Sequence, residues 1–358
     1  MTLPNLYIRP VCADDSASLH AIFTDAKVVA NSLRLPTSEL SKIEELFRQE
    51  KPGHHRLVGV LAGQIVAYGL LRHSLRARLQ HSGTVDIVVH PEQWRQGIGT
   101  QMIGNLLDLA HDFNIWRLNL EIIAINQAAR HLVEKFGFIP EGTQRQAVFA
   151  NGRFQDIIRY AHLTPPEQIM MNAERGAMNE ASSIQYSSFS TPHAKEAITI
   201  RPAHPDDIND LSALFQHPLV CATTLQMPSQ EIWHTRQRMD GPPPTGLHRL
   251  VAEDNGRCVG MITIQQRQNL RCMHCGGIGM MVHPDYWRLG IGTQLMAAIL
   301  DIADNWLGLT RVELDVNTDN PAAIHLYEKF GFEIEGTHNL HALGNGRWAD
   351  SYFMARIR

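Results

Sequence analysis

Cysteine, net charge and long apolar runs are all scarce in this chain, and each scarcity removes a class of protein. Five cysteines (Cys12, Cys221, Cys258, Cys272 and Cys275) in 358 residues are too few and too scattered to frame a disulfide-stapled fold. A formal net charge of -4 gives no electrostatic footprint for nucleic acid or an anionic membrane as the main partner. No apolar run approaches the ~20 residues that span a bilayer. The opening stretch MTLPNLYIRP has no basic segment followed by an apolar one, so no secretory signal is expected. With 44% hydrophobic and 19% charged residues, the composition is that of a globular protein. The expectation is a soluble cytoplasmic protein, and at this length two domains are the natural prior.

What the chain does have is itself, twice. Ile8-Arg9-Pro10 recurs as Ile200-Arg201-Pro202, and Asp14-Asp15 as Asp206-Asp207. His55-Arg56-Leu57-Val58 matches His248-Arg249-Leu250-Val251, and Glu134-Lys135-Phe136-Gly137-Phe138 matches Glu328-Lys329-Phe330-Gly331-Phe332. Order and spacing hold throughout, so this is one whole-domain duplication and not an array of short repeats. The stretch from Thr164 to Ala197, rich in Ser, Ala, Asn and Pro, reads as a linker with one short helix around 167–175. The expected domains are 1–164 and 198–358, joined by a linker over 165–197.

Each copy predicts an α/β domain with a mixed sheet. A short strand meets Pro and an Asp pair able to cap a helix. A hairpin follows, its turn carrying Ala-Gly or Asn-Gly. Next comes HPEQWRQGIGT (90–100) or HPDYWRLGIGT (283–293), between a strand ending at Val89 or Val282 and a helix expected over 294–304 in the second copy. A glycine-bearing turn at such a join aims backbone N–H groups at one point, where the helix dipole adds positive charge, and suits a phosphate. A strand and a helix stopping at Gly137 or Gly331 precede two final strands.

These residues resemble the GCN5-related N-acetyltransferases in both halves. The strand Met280-Met281-Val282, the turn Arg288-Leu289-Gly290-Ile291-Gly292-Thr293 and the downstream run from Asn320 through Tyr327 to Phe332 are similar to that family's cofactor-binding motif and its second motif. The second half looks close to small bacterial N-acetyltransferases that act on amino acids and related amines. The resemblance implies two tandem domains of that fold and acetyl-CoA as co-substrate. It also implies backbone pairing of Met280, Met281 and Val282 with pantetheine, pyrophosphate on the amides of Arg288 to Thr293, and Asn320 on the pantetheine arm. In the first copy Ile87, Val88 and Val89, then Arg95, Gln96, Gly97, Ile98, Gly99 and Thr100, and finally Asn126 match. One departure stands out: where the family commonly has Gln or Arg, three residues before the first glycine, both copies have tryptophan, Trp94 and Trp287.

The implied reaction acetylates an amine. An α-amino group with a reference pKa of about 7.7–8.0 must lose a proton before it attacks, and the departing thiolate must gain one. Family analogy places Tyr327 near the sulfur as a general acid; the alternative is a core aromatic on an amphipathic helix. The first copy has Val133 there, so it would transfer poorly, use another acid such as His131, or serve as a structural or regulatory partner. Asp315 and Glu121 lie five residues before the motif asparagines and are candidate bases or plain strand carboxylates. Asp86 is a second candidate, with Gly279 as its counterpart. Cys272-Met273-His274-Cys275 has CxxC spacing but no second ligand pair, so no metal is expected. Arg34 and Gln226 stand at matching places where the family shapes its acceptor pocket. The favoured acceptor is a small-molecule primary amine; acetylation of a protein N-terminus or lysine, and an acetyl-CoA sensor without turnover, are the alternatives. A pseudo-dimer of the two domains or a homodimer is also expected.

Overall fold

The computed structural model describes residues 6–167 and 198–358. They fall in two compact units. The expected linker lies outside the described residues from residue 168 on, and so does its short helix apart from Glu167.

The first unit is a seven-stranded mixed sheet. Its strands are β1 (Leu6–Pro10), β2 (His54–Leu61), β3 (Gln64–His73), β4 (Ser82–Val89), β5 (Arg117–Ile123), β6 (Ile139–Ala150) and β7 (Arg153–Leu163), in the order β1-β2-β3-β4-β5-β7-β6. Only β4 and β5 run parallel; the other neighbours are antiparallel. A parallel pair needs a long crossover, and the helix α4 (Ile98–Asp112) supplies it. Alternation along β4 sends Val85, Ile87 and Val89 to one face, packed with α4 and α5 (Gln127–Lys135). Val88 goes to the other face, with Leu19, Ile22, Phe23 and Val28 of α1 (Ser16–Thr24) and α2 (Ala26–Ala30). On that second side α3 (Leu40–Arg48) lends only the half-buried Ile43 and Phe47. Two thin cores thus sandwich one sheet.

The second unit repeats the plan. Its strands β8 (Thr199–Pro202), β9 (Leu247–Asp254), β10 (Arg257–Gln266), β11 (Cys275–Val282), β12 (Arg311–Asn317), β13 (Glu333–Gly344) and β14 (Arg347–Ile357) run in the order β8-β9-β10-β11-β12-β14-β13. The face of Ile278, Met280 and Val282 packs on α9 (Ile291–Asp301) and α10 (Pro321–Lys329). The opposite face carries α6 (Ile208–Gln216), α7 (Pro218–Thr223) and α8 (Ile232–Met239). The helix expected over 294–304 starts three residues earlier, at Ile291, and passes at Ile302–Trp306 into a wider π-type turn. Gly292 weakens the propensity signal at the start, but the glycine turn fixes the first N–H groups in register.

One buried pair braces the same place in each unit. Arg117, at the start of β5, donates from Nη1 and Nη2 to Glu141 at 3.0 and 2.5 Å, and both side chains are 1% exposed. Arg311 repeats this with Glu335 at 3.0 and 2.6 Å. Such a bidentate pair fixes strand geometry more than it adds net stability, while loss of one partner strands a buried charge.

Candidate functional site

The site grows from a failure of pairing. β11 and β12 are in register only at Cys275–Arg311, Gly276–Val312 and Gly277–Glu313. Beyond Gly277 the strands part, while β11 stays paired with β10 up to Val282. One edge of Ile278–Val282 therefore faces a cleft with no strand, and an extended ligand can add there as a strand would. β4 and β5 part in the same way after Thr84 and Asn119, exposing the edge of Val85–Val89. Met280–Val282 and Ile87–Val89 lie along these clefts. Val282 and Val89 are already engaged at one atom: the indole N–H of Trp287 donates to the Val282 carbonyl at 2.7 Å, and that of Trp94 to the Val89 carbonyl at 2.8 Å. The tryptophans thus clip the turn to the end of its strand.

The turn that follows has left-handed backbone at two points per copy, Arg288 (φ 62°) with Gly290 (φ 81°), and Arg95 (φ 64°) with Gly97 (φ 86°). Such alternation concentrates N–H groups on one side. Gly290 and Gly97 are the helix N-caps and neither helix has a side-chain cap, so the first N–H groups, on Ile291, Gly292 and Thr293 or Ile98, Gly99 and Thr100, keep their donors. A Cβ built at Gly290 or Gly97 meets nothing within 4 Å, so the space ahead of the helix is open. The next glycines serve packing instead. A Cβ at Gly292 would lie 3.1 Å from Leu326, and one at Gly99 2.9 Å from Leu132, so they let the second-motif helix approach. Open donors, open space and an unpaired strand edge fit a diphosphate followed by a pantetheine arm. Leu289 and Gln96 complete the two turns, with Leu289 exposed.

Asn320 and Asn126 sit at helix starts beyond the cleft. Each side-chain oxygen accepts from the helix, from Ala323 N at 3.2 Å and Ala129 N at 3.1 Å. That leaves the Nδ2 of each as the donor turned to other work.

The two candidate catalytic groups of the second copy belong to opposite faces of the sheet. Tyr327 lies in the core of the α9 and α10 face, against Phe332 at 6.0 Å. Burial pushes its phenol up to about 12, so it stays protonated and able to donate. Its hydroxyl makes no hydrogen bond among the described residues. Asp315 lies two residues past the last β11–β12 pair, and the inward packing of Leu314 and Val316 puts it on the other face. Its carboxylate is 52% exposed and 3.7 Å from His338 Nε2.

The first copy holds neither arrangement. Val133 is buried in the core where Tyr327 sits. Glu121, the counterpart of Asp315, stands opposite Arg159 and is 3.4 Å from its Nε; the residue opposite Asp315 is Phe353. Asp86 accepts from Arg34 at 2.6 Å. Sequence reasoning missed His338 and Arg159, which reach their carboxylates across strands with no fixed spacing. The CxxC thiols are buried, and burial pushes Cys275 up to about 12, which leaves it a poor nucleophile. Among the described residues no group of three or more His, Cys, Asp or Glu is placed to hold a metal ion.

The sequence profile of the acetyltransferase (GNAT) family matches residues 18–138 and again 211–332. The chain belongs to the GNAT family. It is an acyltransferase with two GNAT domains. Among curated relatives, L-amino acid N-acetyltransferase AaaT of Escherichia coli (strain K12) is 38% identical over 163 residues, 45% of this chain and 98% of that protein. Spermidine N(1)-acetyltransferase of Vibrio cholerae is 25% identical over 156 residues, 43% of this chain and 90% of that protein. A solved GNAT-family acetyltransferase from Streptococcus pneumoniae, 25% identical, matches 44% of this chain and 99% of its own with a TM-score of 0.41.

Proposed function

We propose that the second GNAT domain acetylates the primary amine of a small molecule, an amino acid or a related amine, with acetyl-CoA as donor. The observation that carries this is Tyr327: a buried, protonated phenol without a hydrogen-bond partner among the described residues, packed in the same core as Ile278, Met280 and Val282, whose strand parts from β12 after Gly277. Acetyl-CoA supplies the activated acyl group. The amides of Arg288–Thr293 would hold its diphosphate, and Asn320 Nδ2 its pantetheine arm. Asp315, beside His338, would take the proton of the incoming ammonium, directly or through water. Tyr327 would return a proton to the departing sulfur. The flanking positions favour attack through the cleft, with base and acid on opposite sides.

That AaaT is named for L-amino acids and the Vibrio cholerae relative for spermidine supports a free amine as acceptor. The first domain is proposed to bind acetyl-CoA without efficient transfer, since it keeps turn and cleft but has Val133 and a Glu121 tied to Arg159. The domain limits proposed are 1–164 and 198–358. Thiol release from acetyl-CoA against amino acids, polyamines, aminoglycosides and short peptides tests the reading. Turnover of a free amine is expected. Activity confined to peptides would replace the acceptor class, and no turnover with any acceptor would sink the transferase role in favour of a sensor.

A further inference from the structure

The first domain holds an ion pair on the sheet face that carries α1 and α2. Arg34 follows α2 and reaches 52 residues along the chain to Asp86 on β4, Nη2 to Oδ2, at 2.6 Å. Asp86 is two residues past Thr84, where β4 and β5 part. It lies on the face of α1, because its neighbours Val85 and Ile87 pack on the other. The guanidinium lies 4.0 Å from the ring centroid of Phe23 and 5.9 Å from that of Tyr68. This pair is only half used. Asp86 Oδ1 accepts nothing among the described residues, Arg34 Nη1 donates to nothing, and Arg34 Nε is buried without a partner. Arg34 is 22% exposed and Asp86 50% exposed, so the free edge of the pair meets solvent at the cleft.

The second copy shows that the fold does not need the pair. Gln226 replaces Arg34 and is held by Arg238 at 3.3 Å, and Gly279 replaces Asp86. The pair occurs in the copy that has Val133 in the place of Tyr327.

We propose that Arg34 and Asp86 form a binding site for a free α-amino acid in the first domain. A positive and a negative group side by side, each with an unused hydrogen-bonding edge, match the carboxylate and ammonium of one zwitterion. Nη1 donates to the ligand carboxylate, and Asp86 Oδ1 accepts from its ammonium. Phe23 keeps the guanidinium plane in place. With Val133 at the acid position, the ligand is held and not acetylated, so the site reports amino-acid supply to the protein.

The test is calorimetric titration of the full chain with L-alanine, L-alaninamide and N-acetyl-L-alanine, which keep both charges, only the ammonium and only the carboxylate. The expected result is a binding component seen with L-alanine and weakened about tenfold to hundredfold with either derivative. Arg34→Gln and Asp86→Gly, each importing the second copy's own residue, should remove that component and leave steady-state turnover in the second domain unchanged. Equal binding of the three ligands to the unmodified protein would overturn the proposal whatever the variants do. So would an L-alanine isotherm unaltered in both variants.

Discussion

The two halves of this chain share a scaffold and differ in almost every atom that could do chemistry. Both clip the glycine turn to its strand with a tryptophan indole, both put an arginine and a glycine in left-handed backbone there, and both part their central strands after three residue pairs. These features need only backbone and a few fixed contacts. At the candidate catalytic positions, the second copy has Tyr327 where the first has Val133, and Asp315 near His338 where the first has Glu121 near Arg159. On the proposed reading, the shared features would receive a CoA ester and the differing ones would decide whether it is used.

Breaking the comparison at its sharpest point gives the largest effect. Tyr327→Phe removes the proposed acid of the second domain and should lower kcat by about 10²–10⁴-fold, with acetyl-CoA affinity, read by calorimetry, close to that of the parent. Because burial holds the phenol up to about 12, the kcat profile of the parent should show no alkaline fall from Tyr327 below pH 11, at about a unit under that value.

The shared braces come next. Glu335→Gln leaves Arg311 buried with Glu313 still 3.3 Å from its Nε, and should lower the unfolding free energy of the second domain in denaturant. Glu141→Gln takes away the carboxylate paired with Arg117, where Asn119 stands in place of Glu313, and should cost the first domain more, about 3–5 kcal/mol. Equal losses would show that Glu313 does nothing to compensate Arg311.

The smallest effect concerns Asp15 at the first helix entry. Hydrogen bonds from Arg9, outweighing its burial, hold its carboxyl below the usual value. A depressed folded pKa gives stability that is present above the unfolded value of about 3.9 and lost as pH falls through the folded one. Acid titration of unfolding free energy should therefore steepen below about pH 4, and Asp15→Asn should remove that increment.

Much of this was legible in the sequence because it is local. The duplication, the mixed sheet, the glycine turn and the phenol-or-valine difference all lie in short runs whose spacing survives in the fold. The parting of β11 from β12 after Gly277 was not legible, since how far two parallel strands stay paired depends on contacts between segments far apart in the chain. The role of Trp287 was hidden for a related reason: its partner is a main-chain carbonyl, which carries no side-chain signal. Asp315 and Glu121 looked equivalent at equal distance from their asparagines. Their surroundings in the sheet tell them apart, Phe353 and His338 for one and Arg159 for the other.

The most direct test of the division between the halves is thiol release from acetyl-CoA by two full-length variants, Gly97→Asp and Gly290→Asp, each placing a carboxylate in the open space ahead of one helix. The account predicts turnover near the parent rate for Gly97→Asp and loss of turnover for Gly290→Asp. Loss of turnover in Gly97→Asp, with Gly290→Asp still active, would place the chemistry in the first domain and contradict it.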